Sequence, residues 1–294
     1  MGIHESINFG IQNPKIGLVE LWRRYKERQQ PSYDESGINI HERDWDLLLI
    51  FDACRFDVYS NCVDINGDLS KVHSRGSTSK EWVRGNFSEG EYGDLVVITT
   101  NPFYKQLAEE IDIQVHHFEW VEPTNSETGL TPPDKITDRV LALAEEFPQK
   151  RILAHYMQPH APYLGPSGEN ISYTKGQLHR VMKDNSISKS EIRSAYYENL
   201  DIVLESIKPI IKKRYGKTVV SADHGEMLGE SLVGKIDFLS YYGHPYGLQK
   251  DCVRSVPWHI IDYNVDDRRD IKDEHAYPIN SDDVTEQLQA LGYL

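Results

Sequence analysis

Six short segments rich in apolar residues read as strands: Leu47–Phe51, Leu95–Thr99, Ile113–Phe118, Arg151–Tyr156, Thr218–Ala222 and Trp258–Ile261. Each has the length of a strand. Runs that are nearly continuous, rather than alternating with polar residues, predict strands covered on both faces. Between them, helical spacing recurs over Lys80–Arg84, Asp134–Glu146, Gly176–Asp184, Ser190–Lys213 and Asp282–Leu291. The long segment is the clearest: Tyr197, Leu200, Val203, Leu204, Ile207 and Ile211 form one stripe, and Ser188 or Ser190 can cap its start. Strands that alternate with helices predict an α/β fold, a mostly parallel sheet with helices on both faces. Ahead of the first strand, Leu18, Leu21, Trp22 and Tyr25 share a helical stripe within Ile16–Gln29, with Arg23, Arg24, Lys26 and Arg28 between them. This segment reads either as a helix packed on the domain or as a basic surface helix touching an anionic membrane. Pro31 and Gly37 mark residues 30–44 as a loop. With no linker-like stretch, residues 1–294 read as one domain, residues 1–43 being an appended helix and loop.

Composition narrows the partners. A net charge of -14 disfavours nonspecific contact with nucleic acid. Three cysteines make a disulfide framework improbable and suit a reducing compartment. No run reaches the length of a transmembrane span and no signal-like core opens the chain, so the expected localisation is cytoplasmic.

The chemistry sits at strand ends. Val219-Val220-Ser221-Ala222 runs into Asp223-His224-Gly225-Glu226, and Leu47–Phe51 runs into Asp52. Two buried strands that each deliver an acidic ligand to the sheet's carboxyl edge imply one shared cation. Arg55, three residues after Asp52, is placed to pair with an acidic group. Cys54 reads as a small core residue with no base beside it. Val72–Trp82 reads as a short strand, a glycine turn and a helix start. A hydroxyl there either caps the helix or serves as a nucleophile beside free backbone N–H groups. His160, between Pro159 and Pro162, and His244, between Gly243 and Pro245, are either packed imidazoles or contacts to a metal or an anionic substrate.

Together these elements resemble the alkaline phosphatase superfamily, in its sulfatase-like branch. The matching order is Asp52-x-x-Arg55-x-Asp57, Ser74-x-Gly76-x-Thr78, Pro159-His160-x-Pro162-Tyr163, Asp223-His224-Gly225-Glu226 and Gly243-His244-Pro245-Tyr246-Gly247. The ending Leu291-Gly292-Tyr293-Leu294 is similar as well. The resemblance implies a doubly wound sheet with a divalent cation at its carboxyl edge, held by Asp52, Thr78, Asp223 and His224. It places the covalent nucleophile on Thr78, as in phosphoglycerol transferases, and a leaving-group or substrate role on His160. Arg55, Ser77, His160 and His244 are the expected substrate contacts. Gly76–Lys80 contains no cysteine, which argues against formylglycine chemistry. One metal ion is expected, with Mn, Zn, Ca and Mg all compatible and room left for a second. The expected function is a metal-dependent hydrolase or transferase of phosphate-type esters through a covalent threonine. The alternatives are a sulfuric ester hydrolase with an unmodified hydroxyl and a non-catalytic binding protein on the same fold. The expected partner is a small anionic ester or a glycan- or lipid-linked substrate, with no nucleic acid.

Overall fold

The computed structural model describes residues 32–125, 128–169, 187–232, 240–280 and 284–290, together with Tyr25 and Ile171. The strands are β1 (Leu47–Asp52), β2 (Gly67–His73), β3 (Glu91–Thr99), β4 (Gln114–Trp120), β5 (Arg151–Pro159), β6 (Thr218–Ala222), β7 (Met227–Ser231), β8 (Ser240–Gly243), β9 (Ser255–Ile261) and β10 (Tyr277–Pro278). The helices are α1 (Phe56–Cys62), α2 (Ser79–Phe87), α3 (Phe103–Leu107), α4 (Pro133–Glu146), α5 (Lys189–Ser206), α6 (Lys208–Lys213), α7 (Asp251–Arg254) and α8 (Thr285–Ala290). Eight strands form one sheet in the order β10-β4-β3-β5-β1-β6-β9-β2. The five strands from β4 to β6 are parallel, and β9, β2 and β10 each pair antiparallel with a neighbour. Strands β7 and β8 make a separate antiparallel hairpin.

The centre of the sheet explains the apolar runs. Leu47, Leu49 and Phe51 of β1 face a core built with α1, α4, α5 and α6, while Leu48 and Ile50 face another built with α2, α3 and α8. Every residue of β1 is buried, so no position along it is free to be polar until the strand ends at Asp52. This is the doubly wound, mostly parallel α/β arrangement expected, with helices on both faces.

Three features depart from the pattern. The helix expected over Ser190–Lys213 is two, α5 and α6, with a break at Ile207. Pro209 lacks the N–H that a continuous helix needs, and its ring would meet the carbonyl of Glu205. Ser188 caps α5 in a reciprocal capping box with Glu191. Strand β2 is longer than Val72-His73 because it is an exposed edge strand, whose polar residues give no apolar signal. The segment around Tyr242 is strand β8 of the hairpin rather than a plain turn. The helices expected over Gly176–Asp184 and Ile16–Gln29 lie outside the described residues, apart from Tyr25, which is helical and exposed. No helix among the described residues is long and apolar enough to cross a membrane.

One buried imidazole sets an acid limit on this fold. The His41 ring stacks on Tyr92 at 4.0 Å and meets Phe87 edge-on at 5.3 Å. Neither of its nitrogens has a hydrogen-bond partner among the described residues. Burial, and then Arg151, push its pKa down to about 3 from 6.5. The unfolded chain therefore takes up a proton below about pH 6.5 that the folded chain refuses until about pH 3, and stability falls through that window. His41→Phe, which keeps the ring, should lose about 3 kcal/mol less stability than wild type between pH 7 and pH 4. Denaturant melts at the two pH values measure this, and parallel losses in the two proteins would contradict it.

Candidate metal centre and active site

Asp52 ends β1, and Asp223 and His224 follow the neighbouring strand β6, so parallel pairing alone sets them side by side. Their ligand atoms all lie within 4.8 Å of one another, and all three residues are buried. Asp223 Oδ1 accepts the backbone N–H of Ala53 at 3.0 Å and of His224 at 2.8 Å. Ala53 reaches this position with φ at 60°, and Tyr196 of α5 fixes the bend, donating to Ala53 O at 2.7 Å and accepting from Arg55 N at 3.0 Å. Gly225 is required here. A Cβ on it would lie 2.3 Å from the Cys252 carbonyl oxygen, so no other residue lets the chain turn away from His224 this closely.

The Asp52, Asp223 and His224 side chains could hold a cation. The Nδ1 of His224 lies 2.9 Å from Gly225 O, which fixes the proton on Nδ1 and leaves Nε2 as a lone-pair donor. That lone pair faces Asp223 Oδ2 at 3.4 Å and Asp52 Oδ1 at 3.6 Å. Two carboxylate oxygens and one imidazole lone pair thus converge. Asp52 Oδ1 is buried and has no hydrogen-bond partner among the described residues. Burial, then the neighbouring Asp223 and Glu226 carboxylates, push the Asp52 carboxyl well above the usual range. A divalent ion between these atoms would remove the repulsion and satisfy the orphaned oxygen, and carboxylate and imidazole ligands suit such an ion.

The hydroxyl that meets this set belongs to Ser79. Its Oγ lies 2.7 Å from Asp223 Oδ2, 3.2 Å from Asp52 Oδ2 and 3.4 Å from His224 Nε2. Thr78, expected to point there, is the N-cap of α2. Its Oγ1 accepts the Glu81 N–H at 3.3 Å and lies 3.2 Å from Glu81 Oε2. An extended N-cap residue throws its side chain back over the first helical turn, while the next residue, the first of the helix, turns into the site. Gly76 makes the turn tight enough, since a Cβ there would lie 2.6 Å from Thr78 O and from Trp82 N. Asn101, after β3, donates to Asp52 Oδ2 at 3.2 Å, and His155 Nε2 stands 3.4 Å from Asp223 Oδ2.

A second group lies against the first. His160, Glu226 and His244 also bring ligand atoms within 4.8 Å of one another. The His244 ring lies 4.3 Å from His224 and 5.1 Å from His160, centroid to centroid. The β7–β8 register explains the meeting: Met227 pairs with Gly243, so the residues just outside the hairpin, Glu226 and His244, come together. His244 Nδ1 is 3.1 Å from Glu226 Oε1. His160 is held by its N–H on Asp52 O at 3.1 Å and by Asn199, which donates to His160 O at 3.0 Å. Its own Nδ1 lies 2.5 Å from Ala161 O. Burial lowers His160, His224 and His244 to about 4, so all three imidazoles are neutral near pH 7, and burial raises Glu226 to about 7. His244 is half-buried, whereas the other residues of both groups are buried.

Two expected substrate contacts stand behind the site instead. Arg55 clasps Asp57 through two bonds of 2.8 and 2.7 Å, Glu230 at 2.7 Å and Glu226 O at 3.1 Å. These partners tie the start of α1 to β7 and take up the guanidinium. Ser77 is fully buried, with its Oγ 2.6 Å from Glu81 Oε2 and 3.0 Å from Pro245 O. Ser79 and Asn101 carry no signal of their own in the sequence, while Glu226 stands in the Asp223–Glu226 element, two residues beyond His224.

No family model matches the chain, and no curated protein matches it. Among solved structures, the chain is similar to the soluble domain of lipooligosaccharide phosphoethanolamine transferase A from Neisseria meningitidis, with 13% identity over 73% of this chain and 75% of that one and a TM-score of 0.45. It is similar to the phosphonate monoester hydrolase of Agrobacterium radiobacter, with 14% identity over 75% of this chain and 68% of that one and a TM-score of 0.46. A protein of the alkaline phosphatase superfamily from Vibrio parahaemolyticus shares 11% identity over 79% of this chain and 62% of that one, with a TM-score of 0.46. This chain thus spans less than two thirds of the Vibrio protein.

Proposed function

We propose that this protein is a cation-dependent transferase or hydrolase of phosphate-type esters, with Ser79 as the covalent nucleophile. The observation that carries the reading is the Asp52 Oδ1 oxygen, buried without a partner and facing the lone pair of His224 Nε2. Asp52, Asp223, His224 and Ser79 would hold one cation, and His160, Glu226 and His244 a second. The carboxylate of Glu226 favours a cation over an anion in that second group. Bound cations lower the pKa of a hydroxyl and neutralise the charge of a phosphoryl group.

The chain's own residues do the rest. Ser79 Oγ attacks phosphorus in line, its proton passing to Asp52 Oδ2 at 3.2 Å, the carboxylate that burial makes more basic than Asp223. A bond from Oγ to phosphorus forms as the bond from phosphorus to the leaving oxygen breaks. Water or an acceptor hydroxyl then attacks phosphorus, the bond from phosphorus to Oγ breaks, and the acceptor's proton returns to Ser79. His160 and His244, neutral with Nδ1 engaged on Ala161 O and Glu226, serve better as ligands than as proton donors.

The test combines metal analysis of the purified protein with turnover of aryl phosphate mono- and diesters, phosphonates and sulfates. Bound cations and turnover of a phosphorus ester are expected. Sulfate turnover alone would favour the sulfuric ester alternative, and metal binding without turnover of any ester would favour a binding protein. The site also sets a proton count. In the cation-free protein Glu226 is about half protonated at pH 7 and Asp52 holds its proton more readily than usual. Cation uptake at pH 7 should therefore release protons, and affinity should fall as the pH drops below 7. Titration calorimetry in buffers of different ionisation enthalpy measures the release. Uptake without proton release would contradict the assigned ligands.

A further inference from the structure

We infer that Glu81 is a positioning residue that locks the Ser79 turn to the loop carrying His244, so that the second ligand group depends on a carboxylate belonging to neither group. The inference rests on the two-cation reading above. Glu81 is 2% exposed. Its Oε2 faces one side of the link, accepting Ser77 N at 3.0 Å and Ser77 Oγ at 2.6 Å, with Thr78 Oγ1 at 3.2 Å. Its Oε1 faces the other side and accepts Gly247 N at 3.3 Å. Ser77 adds a parallel tie: its Oγ accepts Leu248 N at 3.2 Å and lies 3.0 Å from Pro245 O. The loop so held begins at His244, directly after β8, and Gly247 adopts φ of 69° within it.

A glutamate at this place in a helix usually does one thing, which is to satisfy backbone N–H groups at the helix start. The Ser77 side of Glu81 does that. The Gly247 bond does not, because it reaches a loop 166 residues away in sequence. The carboxylate is therefore shared between the nucleophile's turn and the loop of a ligand. Residues that orient metal ligands from behind typically change affinity by about 10–100-fold when altered.

The test is titration of the full-length protein with Co²⁺ alone, followed by its visible absorption, for wild type, Glu81→Gln and Glu81→Asp. Wild type should take up Co²⁺ in two steps. Glu81→Gln brings an amide N–H to a position that must accept several bonds. It should weaken the second step by about tenfold or more and leave the first within about threefold. Glu81→Asp keeps the charge and the helix cap but is one methylene short of Gly247, and should show the same selective loss. In turnover, kcat should fall with KM nearly unchanged. A lower melting temperature with both Co²⁺ steps intact would reduce Glu81 to a helix cap and overturn the inference, as would equal weakening of both steps. A wild type that binds one Co²⁺ or none overturns the two-cation reading and this inference with it. That result is distinct from two normal steps in wild type and both variants, which overturns this inference alone.

Discussion

Ser79→Ala is expected to remove turnover by a factor of about 10⁴ or more, while Thr78→Ala keeps most of it. Ser79 Oγ is the hydroxyl within 3.4 Å of Asp52, Asp223 and His224, and Thr78 Oγ1 is engaged with Glu81. Removing Ser79 Oγ leaves Asp52, Asp223 and His224 in place but takes away the proposed nucleophile. Removing Thr78 Oγ1 frees one backbone N–H at the start of α2, which costs about 1 kcal/mol of stability. The two variants therefore separate by readout: one loses activity with its melting temperature nearly kept, the other loses melting temperature with its activity nearly kept. Steady-state kinetics beside thermal melts decide between them. The reverse pattern would return the nucleophile to Thr78.

Asp52→Asn should change sign with the metal. In chelator, the variant is expected to be more stable than wild type by about 1–3 kcal/mol. It replaces a buried, partnerless carboxylate oxygen beside Asp223 with an amide. Turned toward His224, that amide can donate to Nε2, which lies 3.6 Å from Asp52 Oδ1. With cation present the order should invert, because the variant loses a charged ligand. Its affinity should fall by about 10²-fold or more and its turnover with it. Melts with and without chelator, on both proteins, test this crossing. A variant less stable than wild type under both conditions would mean that Asp52 is a structural carboxylate and not a ligand.

The parts of the site legible in the sequence are those fixed by the central strands. Leu47–Phe51 is solidly apolar and Thr218–Ala222 carries no charge because both strands are buried, so Asp52 and Asp223 stand out as the first charged groups after them. Parallel pairing then determines that they meet. The nucleophile's turn was legible to within a residue and no closer. Ser77, Thr78 and Ser79 offer three hydroxyls in succession, and the backbone changes from extended at Thr78 to helical at Ser79, so each points a different way. Which of them faces the ligands depends on where α2 begins, and that is decided by Thr78 taking the N-cap with Glu81. Glu226 was hidden for a different reason. Its meeting with His244 depends on the β7–β8 register, which no apolar periodicity announces in so short a hairpin. Arg55 was read correctly as a pairing residue, but its partners Asp57 and Glu230 turn it away from the substrate side.

The most direct test of the central claim is to quench the cation-loaded protein during turnover of an activated phosphate ester and map the modified peptide by mass spectrometry. The account predicts one phosphoryl group on Ser79, absent when the cations are removed and absent in Ser79→Ala. Turnover with no covalent adduct on the segment from Ser77 to Ser79, or an adduct on Thr78, would contradict it.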